Sequence, residues 1–146
     1  MNRCPMNRLG FPAIPLLLLV GCGQEPHAIA PVSGRVTLNG KPLPNAGVTF
    51  SPMPAGAKVD AGPGSAGVTD ADGHYTLKLV GKPGKGAVIG KHKVSIIMMD
   101  DDDPNDDRPK RQRRPQLPAK YNGHTTLGCD VSSGGTDKAD FELKVP

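Results

Sequence analysis

A chain of 146 residues with a formal net charge of +4 and 36% hydrophobic side chains has material for one domain of ordinary size and not for two. So slight a positive charge does not make the footprint that nucleic acid requires, and nucleic acid is not an expected partner. The 19 Gly and 16 Pro fall in loops between short β-branched segments and no segment keeps a helical period, so the chain reads as all-β. With no Trp, two Tyr and three Phe, its core must be built mainly from Val, Leu, Ile and Ala.

Arg3 and Arg8 precede an apolar run from Leu9 to Val20. A membrane span takes about 20 apolar residues, and this run is shorter and broken by Pro12 and Pro15. Leu19-Val20-Gly21-Cys22 ends it with small residues and a cysteine, the layout of an export signal and its cleavage point. The stretch resembles the lipobox of bacterial lipoproteins. That resemblance implies residues 1–21 as signal peptide, cleavage before Cys22, diacylglycerol on the Cys22 sulfur and acylation of the new amino group. Several acyl chains together anchor stably where one does not. Gly23, where an Asp retains many lipoproteins in the inner membrane, turns the expected address toward the outer membrane. Cys4 then leaves with the signal and Cys22 becomes a thioether, so Cys129 stands alone and no internal disulfide is expected.

Residues 22–31 are polar and contain Pro, and they read as a lipidated tether to a domain spanning residues 32–146. Val32, Gly34, Val36 and Leu38 alternate with Ser33, Arg35 and Thr37, the period of a strand with one buried face. Asn39-Gly40 is a tight hairpin turn, since both central residues must take positive φ. Ala46, Val48 and Phe50 point inward on a second strand. Residues 51–65 carry too many Pro and Gly to pair throughout and form a long connection. A short strand resumes at Val68-Thr69, and Asp70-Ala71-Asp72-Gly73 turns the chain. His74 to Val80 reads as one strand with Tyr75, Leu77 and Leu79 inward, followed by a glycine-lysine loop from Gly81 to Gly86.

Gly90 to Met99 makes a further strand with Val94, Ile96 and Met98 on one face. Ile97 and Met99 crowd the other, and a second apolar face calls for a cover or a contact. Residues 100–116 depart from everything around them. Asp100, Asp101, Asp102, Asp103, Asp106 and Asp107 precede Arg108, Lys110, Arg111, Arg113 and Arg114, a zwitterionic insert that is the candidate partner contact. Thr125 to Val131 and Asp137 to Val145 supply the last strands, with Ala139, Phe141, Leu143 and Val145 inward. Seven strands in all fit a two-sheet sandwich.

The run from Val32 to Phe50, with Gly34, Val36, Gly40, Pro42, Leu43, Ala46 and Val48 at their spacings, resembles the carboxypeptidase regulatory-like family. Thr69-Asp70-Ala71-Asp72-Gly73-His74-Tyr75-Thr76-Leu77, Gly90 to Ile96 and Pro118 to Tyr121 extend the likeness over most of residues 32–145. It implies a seven-stranded, transthyretin-like (prealbumin-like) Greek-key β-sandwich. It does not imply an activity, because such domains serve as accessory, adhesive or assembly modules. Gly34 and Gly47 read as places where sheets approach closely, and Pro42 and Pro44 as guards of an edge. Where related surface domains form a Lys to Asn isopeptide bond, the first strand here has Arg35 and the last ends without Asn.

Asp70-x-Asp72-Gly73 opens like a calcium loop, but the later oxygen ligands and the bidentate Glu are missing, so it reads as a turn. The aspartate block of the insert offers clustered carboxylates for weak Ca²⁺ binding, but its acidic half is neutralised by its basic half and it reads first as a solvated loop. His27, His74, His92 and His124 lack zinc spacing and are expected at the surface. No nucleophile elbow accompanies any Ser, and enzyme activity is not expected. Sugar platforms expose aromatic rings, whereas both Tyr here read as core. The sequence therefore points to a non-catalytic envelope lipoprotein without cofactor beyond its lipid. It would bind or brace another envelope component, most simply a protein, with a polysaccharide- or calcium-binding module at the cell surface as the alternative.

Overall fold

The computed structural model describes residues 27–56, 59–99 and 117–146. In chain order their strands are β1 (Ile29–Ala30), β2 (Ser33–Leu38), β3 (Lys41–Pro42), β4 (Ala46–Pro52), β5 (Ser65–Val68), β6 (His74–Thr76), β7 (Lys78–Leu79), β8 (Ala87–Val88), β9 (Gly90–Met98), β10 (Gly128–Val131) and β11 (Phe141–Leu143). A single 3₁₀ turn, Ala119–Tyr121, is the helical element among the described residues. The described residues are consistent with the all-β class read from the sequence.

Two sheets carry the fold. One runs β10-β9-β4-β5-β7 and is antiparallel throughout. The other runs β11-β2-β3, with β6 also paired to β2. Its β11 lies parallel to β2, which joins Phe141–Leu143 to Val36–Leu38. β1 pairs with β8, and Ala30 is buried, so two residues expected in the tether belong to the fold.

Local chemistry explains most of these elements. The β2–β3 hairpin turns at Asn39 and Gly40 with φ of 50° and 80°, the doubly positive turn that matches strand twist. Strand alternation on β4 and β9 puts Val48, Phe50, Val94 and Ile96 on one face, where they meet Val36 and Leu143 of the other sheet in a common core. Burying such side chains removes apolar area from water, which drives the two faces together. Tyr75 Oη donates to the Ala139 carbonyl at 2.5 Å, and Tyr121 Oη donates to the Lys144 carbonyl at 3.0 Å while accepting from the Lys144 N–H at 2.8 Å. Both tyrosines thus join the interior and end in a backbone bond, as buried phenols require.

The segment from His74 to Val80, expected as one strand, is divided between the sheets. Its first half pairs with β2 and its second half with β5. Leu77, fully buried between them, donates its N–H to the Val32 carbonyl at 2.9 Å. A ladder cannot follow two diverging sheets at once, so the strand changes partner at a corner that Leu77 fills. The preceding strand also sits earlier than expected, at Ser65–Val68. Thr69 lies beyond it as a clip: its hydroxyl donates to the Leu43 carbonyl at 2.6 Å and accepts from the Ala46 N–H at 2.8 Å.

Candidate functional site

Two of the sequence-derived sites, Cys22 and the charged run from Asp100 to Arg114, lie outside the described residues. What the described residues do form is a groove of about 670 Å³ on the face of the five-stranded sheet turned away from the core. Register builds it: Gly47 stands between Ile97 on β9 and Val68 on β5, so the three share one row across the sheet. Ile97 is 48% exposed and Val68 52% exposed, and Met99 just beyond β9 adds a third open apolar side chain. Ile97 and Met99 are the residues whose second apolar face stood out in the sequence.

The floor of the groove is made of small residues. A Cβ at Gly47 would sit 3.3 Å from both Ile97 Cγ1 and Met99 Cγ, so those two side chains close over the glycine. At Gly67 a Cβ would stand 2.6 Å from the Thr76 carbonyl oxygen, which is why β5 and β6 can run so near each other where the sheets part. Close approach of backbones was expected of both Gly34 and Gly47; it holds at Gly34, where a Cβ would fall on the Ala139 carbonyl, whereas at Gly47 the nearest atoms are side chains. Thr49, Thr76, His74 and Lys78 give the groove its polar rim.

Asp70 also borders the groove, but its carboxylate has local work. Oδ1 accepts the N–H of Asp72 and of His74, each at 2.9 Å, and Gly73 takes a φ of 78°. This is a turn in which an aspartate satisfies the backbone two and four residues on. Among the described residues no group of three or more His, Cys, Asp or Glu side chains is placed to hold a metal ion.

One functional-looking residue escaped the sequence reading. His92, expected at the surface, is buried on β9 with its ring centroid 5.6 Å from that of Phe50. Its Nδ1 donates to the Gly90 carbonyl at 3.0 Å, and Nε2 has no hydrogen-bond partner. Burial lowers its pKa below the ordinary value, with the Gly90 carbonyl and Asp130 acting weakly the other way. Parity was the signal: His92 shares the phase of Val94 and Ile96. Cys129 stands opposite it across the β9–β10 ladder, half-buried, and burial followed by Asp130 pushes its thiol pKa up. A thiol held protonated is a poor nucleophile, so this pair reads as packing rather than as a reactive dyad.

The groove is thus an open surface, mostly apolar, floored by small residues and edged by hydroxyls, an imidazole and Lys78. Family models, characterised proteins and solved structures were compared with the chain, and none matches it. No helix among the described residues is long and apolar enough to cross a membrane.

Proposed function

We propose that this protein is a non-catalytic lipoprotein of the cell envelope, exported and held by lipid on Cys22, whose domain binds or braces another envelope component. The outer membrane is the proposed address. In this reading the two sheets form a transthyretin-like Greek-key β-sandwich of the carboxypeptidase regulatory-like kind. Two sheets sharing one core support it, as does the strand that passes between them at Leu77.

The observation that carries the proposal is the groove. Ile97, Met99 and Val68 stay open to solvent on a sheet whose other face packs into the core, and the chain runs from Met99 directly into the charged insert. Contiguous apolar surface of this kind marks contact sites on soluble domains. A protein partner fits better than a glycan, since both tyrosines are buried and no aromatic platform faces outward among the described residues.

In-cell crosslinking of the full-length chain, followed by detergent extraction and mass spectrometry, tests the reading. Ile97→Lys combined with Met99→Lys should leave the thermal transition intact and lower recovery of a protein partner at least tenfold. Unchanged recovery sinks the groove as the contact. Recovery of cell-surface polysaccharide without a protein would move the assignment to a glycan-binding module. Cys22→Ser should abolish lipid labelling and leave precursor uncleaved; normal processing would remove the anchor from the proposal.

A further inference from the structure

We infer that the end of the domain formed by Ile29 and the Gly81–Gly86 loop rests on the membrane surface, its lysines on anionic lipid headgroups and its apolar side chains at the headgroup boundary. The inference rests on the proposed anchor at Cys22 and adds an orientation to it.

The loop is held in a defined shape against the first strand. Leu79 donates its N–H to the Gly84 carbonyl at 3.0 Å, and Gly86 donates to the Leu77 carbonyl at 2.8 Å. A Cβ at Gly84 would lie 3.2 Å from Ile29 Cδ1, and one at Gly86 would strike the Ala30 carbonyl, so the loop lies across β1. Gly81, Gly84 and Gly86 take φ of 72°, 150° and 115°, conformations that favour glycine. Sequence and backbone together fix where this loop sits.

Its chemistry is that of a bilayer contact. Ile29 is 41% exposed and Val80, which leads into the loop, is 57% exposed. Lys82 and Lys85 are exposed within the loop, and Lys78, also exposed, faces Lys85 across an isolated bridge. Among the described residues no ion pair engages these three lysines. At the same end of the molecule, Asp60 lies 3.4 Å from His27 Nε2. Uncompensated lysines beside apolar side chains are what interfacial anchors present to anionic lipid.

Chain length supplies the second argument. Only six residues separate Cys22 from Ile29, and the seven steps between the two, fully extended, reach at most about 25 Å. A lipidated Cys22 therefore keeps this end of the domain beside the bilayer. The Asp70–Gly73 turn stands at the other end of the segment that runs through β6 and β7 to the loop.

The test uses the full-length chain, expressed in bacteria, with a fluorescent unnatural amino acid at Val80 or, as control, at Ala71. It is reconstituted in vesicles of phosphatidylethanolamine and phosphatidylglycerol containing brominated acyl chains, and the mass of the mature chain reports lipid on Cys22. Quenching should be several-fold stronger at Val80 than at Ala71. Lys82→Glu with Lys85→Glu should bring Val80 to the Ala71 level without changing the thermal transition. A lipidated chain quenched equally at both positions, or indifferent to the charge reversal, overturns the inference and leaves the anchor standing. Selective, charge-dependent quenching of a chain without lipid keeps the membrane face and removes the anchor.

Discussion

His92 shows how much one residue's phase can decide. Its position two before Val94 commits it to the interior, where Nε2 finds no partner and burial disfavours the imidazolium. Below 6.5 the unfolded chain takes up a proton that the folded chain refuses until its own lower pKa is reached. Stability is thus whole above pH 6.5 and falls with pH from there toward the depressed folded value. Urea denaturation between pH 7.5 and 5 should show a shallower decline for His92→Gln than for the parent; equal slopes would mean that other groups carry the acid sensitivity. Alternation places His92 inside but says nothing of what lies against it, so the lack of an Nε2 partner was not legible. Gly34 is similar. The sequence marks a need for a small residue, and only the tertiary fold supplies the Ala139 carbonyl that occupies the space.

At the scale of elements, local signals read well and pairings read poorly. Asn39-Gly40 announces its own turn because the required φ values belong to those two residues. The stretch from His74 to Val80 announces alternation, and Tyr75, Leu77 and Leu79 keep that phase through the corner. Nothing in a period of two records that the partner strand has changed, which is why the split at Leu77 was invisible. Thr69 illustrates the same limit, since its hydroxyl joins Leu43 and Ala46, both more than 20 residues away. Thr69→Val keeps the shape and leaves a buried N–H and a buried carbonyl without that hydroxyl, so it should cost roughly 2 kcal/mol or more. Thr69→Ser should recover most of the loss, and equal midpoints in chemical denaturation for all three chains would show the clip to be idle. The groove divides along the same line: Ile97 and Met99 were legible as a surplus apolar face, whereas Gly47 beneath them was assigned to backbone approach because register decides its neighbours.

Across the whole molecule the weight falls on contacts between distant parts of the chain. The five-stranded sheet joins residues near 47 to residues near 97, and β11 closes the other sheet on β2 from the far terminus. Ala139 and Leu143 are buried where this last segment packs, and the Tyr75 hydroxyl ends on the Ala139 carbonyl. A chain ending at residue 138 should therefore lose its cooperative thermal transition, because it exposes the β2 edge and opens the core together. Retention of a sharp transition, followed by calorimetry, would assign β11 a peripheral role.

The parallel join between β2 and β11 also sets a schedule. Both ends of the polypeptide must be present before the second sheet can close, so a chain emerging end-first from a ribosome or a translocation channel waits with its earliest long strand half-paired. During that interval the Val36–Leu38 edge is open to any extended segment that reaches it first. The delay matches the time needed to deliver about a hundred further residues, and it makes the opening strand the place where a folding helper, or an aggregating neighbour, would take hold.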